Sequence, residues 1–563
     1  MKFFLCAIAI SFFLPAHAPA AVQEGAFGLV EARTAFEKEP THASASALAR
    51  QFHAGGKAVE GMEYFARKAA SGKSSCLLRA CAVFGRGDIL MKLFRWDDAE
   101  PVFREAEKTF RACGDKRGEA VATLNMGTLH RRRSEYLKAR ACYERSLHAF
   151  EELGDSRAVA VCLHNLAIVH DFLGEHAPAL EYYEKSMTVF EDMGDRSAVA
   201  STHSNMGLLF YSMGDYARAM EQQQKSLAIR EAIGDWKGVA GCLTNLGLVH
   251  QQLGDYARAL ELHRRSLEMS RKDGDPAALA ESLHNLGLAH QFLGDTDKAM
   301  EYFRMSLAAD EEIGNRQGVA LTLISMGVLH WESGDAAKTL EAYQRSLAIL
   351  EEIGDNLSLG GLLGNIGVLH DESGDAAKAR PFYERSLAIR REIRDRHGEA
   401  DVLLNIALNL QKFGQIDAAL EHVSEAVAIA KEINARDSLA GALRALGGIY
   451  GAKGMRDEAL ESLHGAVNAV EDMRALISES EQKSGFMARQ LGPYEELAGM
   501  LLERATDPNS AEAFGVMERM KARSFLDEMG TARHLREGAP MELTERKRLL
   551  EARLRWLEIQ ASQ

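Results

Sequence analysis

Proline is scarce in this sequence, 10 among 563 residues, so little in it forbids long helices. Basic charge is not in excess either. The 67 Lys and Arg face 81 Asp and Glu, a formal net charge of −14. That balance speaks against a nucleic-acid partner, because neutralising phosphates needs clustered cations. Beyond the N-terminus no apolar run approaches the roughly 20 residues of a membrane-spanning helix, so no stable span is expected. No CxxC pair or Cys/His cluster has zinc spacing, and no phosphate loop or nucleophile–base pair is visible. These absences leave no expected catalytic residue, metal or cofactor. What remains is a chain 46% hydrophobic and 26% charged, rich in helix-forming residues and able to bury a large core.

The first residues read as an address. Lys2 precedes an apolar run from Phe3 to Leu14, and small residues follow at Ala16, Ala18 and Ala20. A short positive region, an apolar stretch and a small-residue site form a secretory signal over 1–20, which places the protein outside the cytoplasm, periplasmic or secreted. Six cysteines remain beyond it: Cys76, Cys81, Cys113, Cys142, Cys162 and Cys242. They occupy helix positions that other parts of the chain fill with Val, Leu or Ile, so buried free thiols are the first expectation. A bridge from Cys113 to Cys76 or Cys81 is the best-placed exception, since an oxidising compartment permits one.

Shifting the sequence against itself by about 40 residues brings it into register, the mark of a repeat architecture. Leu163-His164-Asn165-Leu166-Ala167-Ile168-Val169-His170 returns as Leu243-Thr244-Asn245-Leu246-Gly247-Leu248-Val249-His250, and again from Leu283 to His290. A small residue recurs at Gly87, Gly127, Ala167, Gly207, Gly247, Gly287, Gly327, Gly367, Ala407 and Gly447, which marks ten units over 77–474. Each unit parses as two helices. Around Gly247 the first runs from about Lys237 to Leu253, Gly254-Asp255 breaks it, and the second runs from Tyr256 to near Lys272. Ala259, Leu260, His263, Ser266 and Leu267 fall on one stripe of the second helix. Small residues at Gly247 and Ala259 let the helices approach, while Leu246, Leu260 and Leu267 fill the space between units. No unit buries its stripe alone, so the predicted fold is an all-α solenoid of stacked antiparallel helix pairs. A divergent helical cap is expected over 40–76.

The order Leu166-Ala167, Ala179, Tyr183 and Ser186 resembles the tetratricopeptide repeat. That family's usual unit is shorter, at about 34 residues. The longer period is similar to the long-helix variants typified by kinesin light chain and the polarity adaptors. The resemblance covers about 400 residues and implies a right-handed superhelix whose first helices line a concave groove. One position on those helices repeats: Asn125, Asn165, Asn205, Asn245, Asn285, Asn365 and Asn405, broken by Ser325 and Ala445. Asn is a mediocre helix former, so its persistence calls for a reason. A carboxamide both donates and accepts, which suits the backbone of an extended peptide, and the resemblance implies that role. The alternative is that each Asn bonds to the neighbouring unit and sets the superhelix. One turn on lie Arg131, Asp171, Tyr211, Gln251, Gln291, Trp331, Asp371 and Gln411, a varied set that fits either a specificity-determining groove or an unconstrained surface.

His130, His170, His250, His290, His330 and His370 form a ladder, but stacked helices lie about 8–10 Å apart, too far for shared metal ligation. These histidines are expected to be structural. Glu151-Glu152, Glu311-Glu312 and Glu351-Glu352 are expected on a solvated face rather than in a paired-carboxylate site.

The register fades after about Glu471. Within 475–530, Glu518-Arg519-Met520-Lys521-Ala522-Arg523-Ser524-Phe525-Leu526 resembles the segment that joins tetratricopeptide arrays to CHAT domains, the caspase-like protease modules. Such a protease uses a Cys and a His, yet no cysteine follows Cys242 and only His534 lies beyond the junction. The residues 531–563 read as a charged helical tail whose Leu543, Leu549, Leu550, Leu554 and Leu557 offer an apolar face. Two readings follow. One is a scaffold that binds a peptide or protein in the groove. The other is the regulatory arm of a CHAT-type protease whose catalytic domain this chain does not carry.

Overall fold

The computed structural model describes residues 29–502 apart from 55–56, 72–74, 94, 478–485 and 487–489, and beyond them only 513, 515 and 516. The expected signal, the CHAT-linker motif and the charged tail lie outside the described residues. Three helices lead: α1 (Leu29–Lys38), α2 (His42–Ala54) and α3 (Ala58–Ala70), a cap that starts earlier than the sequence suggested.

Ten antiparallel pairs follow. They are α4 (Cys76–Lys92) with α5 (Trp96–Ala112), α6 (Lys116–Arg132) with α7 (Tyr136–Leu153), and α8 (Ser156–Phe172) with α9 (His176–Asp192). Next come α10 (Arg196–Ser212) with α11 (Tyr216–Ile233), α12 (Trp236–Gln252) with α13 (Tyr256–Asp273), and α14 (Pro276–Phe292) with α15 (Thr296–Ile313). The last four are α16 (Arg316–Glu332) with α17 (Ala336–Ile353), α18 (Asn356–Glu372) with α19 (Ala376–Ile393), α20 (Arg396–Lys412) with α21 (Ile416–Glu432), and α22 (Arg436–Lys453) with α23 (Arg456–Ala475). They are numbered units 1 to 10 below. A final helix, α24 (Gly492–Leu502), packs on α23.

The punctuation is local chemistry. Gly234 ends α11 at φ 73°, a left-handed conformation that costs glycine little, and Asp235 then accepts the Gly238 amide at 3.0 Å to start α12. Within each pair the small residue admits a large one. A Cβ on Gly127 would lie 2.6 Å from Tyr143 Cε1, so the ring fits only because the side chain is missing. Seven second-helix serines add a bond that the sequence had marked only as small residues. Ser146, Ser186, Ser226, Ser266, Ser306, Ser346 and Ser386 each donate to the first-helix carbonyl 26 residues earlier, at 2.7–3.0 Å. Each of these buried hydroxyls thereby has its partner.

Two expectations need revision or refinement here. Cys76 and Cys113 form a disulfide, so the free-thiol expectation is corrected for this pair; Cys81, Cys142, Cys162 and Cys242 are buried and free. The pairing is physical: Cys76 opens α4 and Cys113 caps α5, which brings both to the open end of one hairpin. His263 fills the slot of Tyr143 and Phe303 against Gly247 but brings two ring nitrogens with no hydrogen-bond partner among the described residues. Burial holds its pKa down to about 3. The unfolded chain therefore binds a proton below about pH 6.5 that the folded chain refuses, and stability falls with pH from there to about 3. His263→Phe is expected to raise stability at pH 7 by about 1–3 kcal/mol. The advantage should widen by about 1.4 kcal/mol per pH unit below 6.5. Urea titrations at pH 7.5, 6 and 5 test this, and a gain independent of pH would contradict it.

Candidate protein-binding surface

The first helices are the inner layer, and they are buried almost all round: in α12, residues 242–251 are all buried. Successive first helices touch one another as well as their own second helices. The asparagine row lies in that contact, with Asn205 and Asn245 each 2% exposed and Asn285 and Asn365 0%. Asn165 and Asn405 are buried too, and Asn125 is half-buried. These side chains stand within the packing between units rather than on an open groove floor.

Five of the seven spend their donors locally. Asn125, Asn165 and Asn285 donate to the carbonyl four residues back in their own helix, at Val121, Val161 and Glu281, each at 3.0 Å. Asn205 Nδ2 meets His164 Nε2 at 2.8 Å, and Asn245 Nδ2 reaches Ser204 Oγ at 3.4 Å, both in the preceding unit. So the neighbour-unit bond holds for two members of the row, and a bond within the helix for three. The oxygens differ. Oδ1 of Asn205, Asn245 and Asn285, and both polar atoms of Asn365, have no hydrogen-bond partner among the described residues. Glu281, on the same helix as Asn285, has its carboxyl pushed up to about 7 by burial.

The varied row lies at the C-terminal ends of the first helices, and it is tied from unit to unit. Gln291 Nε2 donates to Glu332 at 2.9 Å, Trp331 Nε1 to Glu372 at 3.0 Å, and Gln252 Nε2 to the Tyr211 hydroxyl at 3.0 Å. Asn409 donates to Asp371 at 2.9 Å. Gln251 is 1% exposed and Gln291 8%, while Tyr211 and Trp331 are half-buried. Sequence spacing put the varied residues on one strip; it did not show the bonds that tie each unit to the next.

The histidine ladder closes hairpins. His130 Nδ1 lies 2.5 Å from Glu135 and His250 Nδ1 lies 3.2 Å from Asp255, while His170 pairs with Glu175. His170, His290 and His370 also stack on Tyr182, Tyr302 and Phe382. The acid pairs lie exposed and bind arginines: Glu352 with Arg316, and Glu351 with Arg385 at 2.6 Å. Among the described residues no group of three or more His, Cys, Asp or Glu could hold a metal, and no helix is long and apolar enough to cross a membrane.

The family profile described as tetratricopeptide repeat matches residues 78–147, 118–192, 239–312 and 318–392. A second profile of the same description matches 199–233, and together they span just over half of the chain. Anaphase-promoting complex subunit 5 matches over 399–449. No curated protein matches the chain. Among solved structures, BtubC (BKLC) from P. vanneervenii is 21% identical over 40% of this chain and 91% of its own, with a TM-score of 0.32. A Rap protein complexed with competence and sporulation factor is 16% identical over 63% of this chain and 98% of its own, at 0.45. The APC/C hetero-tetramer Cut9-Hcn1 is 15% identical over 82% and 92%, at 0.33.

Proposed function

The chain belongs to the tetratricopeptide repeat family, and we propose that it is a scaffold holding an extended segment of a partner protein against its first helices. The observation that supports the reading best is the set of carboxamide oxygens on Asn205, Asn245 and Asn285, in three successive units, unpartnered among the described residues. A buried acceptor without a donor costs about 1–3 kcal/mol, and a peptide backbone carries N–H groups able to satisfy it. Half-buried Tyr211 and Trp331 and buried Gln251 and Gln291 border that row and are the residues expected to select side chains. Seating a ligand there requires adjacent first helices to part slightly, within what a stack of nearest-neighbour interfaces allows. The Cys76–Cys113 bridge supports an oxidising compartment, in keeping with the secretory signal read at 1–20.

The test uses peptides selected from a random phage-displayed library against the full chain. Asn245→Ala with Asn285→Ala is expected to weaken the selected peptides by about tenfold or more, two hydrogen bonds at roughly 0.5–1.5 kcal/mol each. The melting temperature should move little, because these side chains give up only a long bond to Ser204 and a bond within the helix. Affinity and stability lost in proportion would leave the asparagines a packing role alone.

A further inference from the structure

The first helices do not carry charge evenly along the array. On α6, Val121, Asn125 and Thr128 are half-buried and Arg132 is exposed, at the three- and four-residue spacing of one helical face. Arg132 thus stands on the face of Asn125, and Lys92 holds the same position one unit earlier. In units 7 and 8 that position is Glu332 and Glu372, which accept from Gln291 and Trp331. In unit 9 it is Lys412, 3.3 Å from Asp371. Arg132 has no carboxylate partner among the described residues.

Solvent reaches Arg132, yet the protein around it is close enough to push its guanidinium down to about 10, with the Arg131 charge adding to the effect. The Lys92 ammonium is lowered by burial and then by the charges of Arg50, Lys237 and Arg132, against the pull of Asp88. Lys237 has Asp275 as its own partner. These cations come from α2, α6 and α12, and the curvature of the array is what brings units 2 and 5 to one amine. Arg131 is only 6% exposed, and its Nε and Nη2 have no hydrogen-bond partner among the described residues. The row of varied residues shows why. Asp171, Tyr211, Gln291 and Trp331 each bond the residue 41 further along. From Arg131 that step leads to Phe172, whose ring stacks on Tyr136 at 4.9 Å and accepts no such bond. Asp171, the next member of the row, is taken by Ser212 at 3.4 Å and His176 at 3.3 Å.

We propose that Arg132 and Lys92, with Arg131 beside them, form a subsite for the carboxylate of an Asp or Glu side chain in the partner segment, an assignment that rests on the groove reading above. Like charges gathered out of bulk water repel one another, and a carboxylate among them replaces that repulsion with attraction. A guanidinium also matches a carboxylate with two parallel N–H donors, which selects geometry as well as charge. In a chain of net charge −14, this basic end attracts an acidic residue that the rest of the surface repels. It thereby orients the bound segment, with its acidic residue at units 1 and 2.

Peptides selected on the full chain from the random library are expected to share an Asp or Glu at one position. Arg132→Gln with Lys92→Gln should weaken them about tenfold or more, with the circular dichroism of the array kept. Replacing the shared acid by its amide should cost as much on the natural chain and little on that variant. Arg132→Gln alone, at an exposed side chain, gives the same cycle if the pair disturbs folding. Arg264→Gln with Arg265→Gln removes equal charge from exposed positions on α13 and should change affinity by less than about twofold. Peptides that depend on Asn245 and Asn285 but share no acid and ignore Arg132 would overturn the subsite and leave the groove reading standing. Peptides indifferent to both sets of residues would overturn both readings. An equal loss from the α13 control would reduce the effect to overall charge and overturn the subsite. So would tripolyphosphate binding that needs Arg132 where no acidic residue is selected, since a phosphate would then be the ligand.

Discussion

Asp395→Ala is expected to lower stability by about 3–5 kcal/mol, because it strands a buried guanidinium. Arg390, 4% exposed at the end of α19, pairs with Asp395, which is 9% exposed and also caps α20 by accepting the Gly398 amide at 2.9 Å. Losing the cap adds about 1 kcal/mol. The position of Arg390 explains why the loss is asymmetric. Its counterparts include Phe110, Phe150 and Phe190 in the early units, Arg230 paired with Asp235, Leu350, and Asp310. Where the acid takes the place of arginine, the capping residue changes too: Asn315 donates to Asp310 at 2.7 Å, since a second carboxylate there would repel the first. Burial pushes the Asp310 carboxyl up to about 7. Arg390→Leu copies what Leu350 does and leaves the cap intact, so it should cost far less than Asp395→Ala. Urea unfolding of both variants, with hydrogen exchange along α20, separates the two. Equal losses would mean that the pair contributes only through its packing volume.

Breaking the disulfide carries the second large effect. Cys76 and Cys113 are 37 residues apart, and closing a loop of that length restricts the unfolded chain by about 3–4 kcal/mol in the entropic account. The bridge closes unit 1 beside the cap, where the packing is aromatic: Phe36, Phe65, Phe84 and Phe103 lie in one cluster. Because repeat arrays gain stability from neighbouring interfaces, the loss should concentrate at the N-terminal end. Cys76→Ser with Cys113→Ser is expected to speed exchange in α4 and α5 while leaving α18 to α22 protected. Reductant should do the same to the natural chain and nothing further to the variant. Uniform loss across all ten units would contradict this view of the array.

Much of this was legible in the residues. The repeat period placed the first helix of unit 5 at about 237–253, and it runs from Trp236 to Gln252. Gly-Asp punctuation marked the breaks, since glycine is what a left-handed cap needs and Asp what a helix start needs. The ladder of histidines was readable as structural because the spacing of stacked helices is fixed by their diameter. These are properties of one unit and its nearest neighbour, and the sequence states them ten times over.

Other features depend on how small rotations between units add up. The sequence put the asparagines on a shared strip, but their burial at 0–2% in Asn205, Asn245, Asn285 and Asn365 follows from how tightly the first helices converge. It allowed Cys113 two partners, and only the meeting of helix ends chose Cys76 over buried Cys81. Nothing in the period foretold that Gly174 meets Ile433, because that contact is set by the pitch accumulated over six units. Local composition determined the helices, their ends and their pairing, because those are settled within a few residues or one interface. The tertiary structure alone decided which turns are covered and which polar atoms are left without partners, because each depends on geometry summed along the whole array.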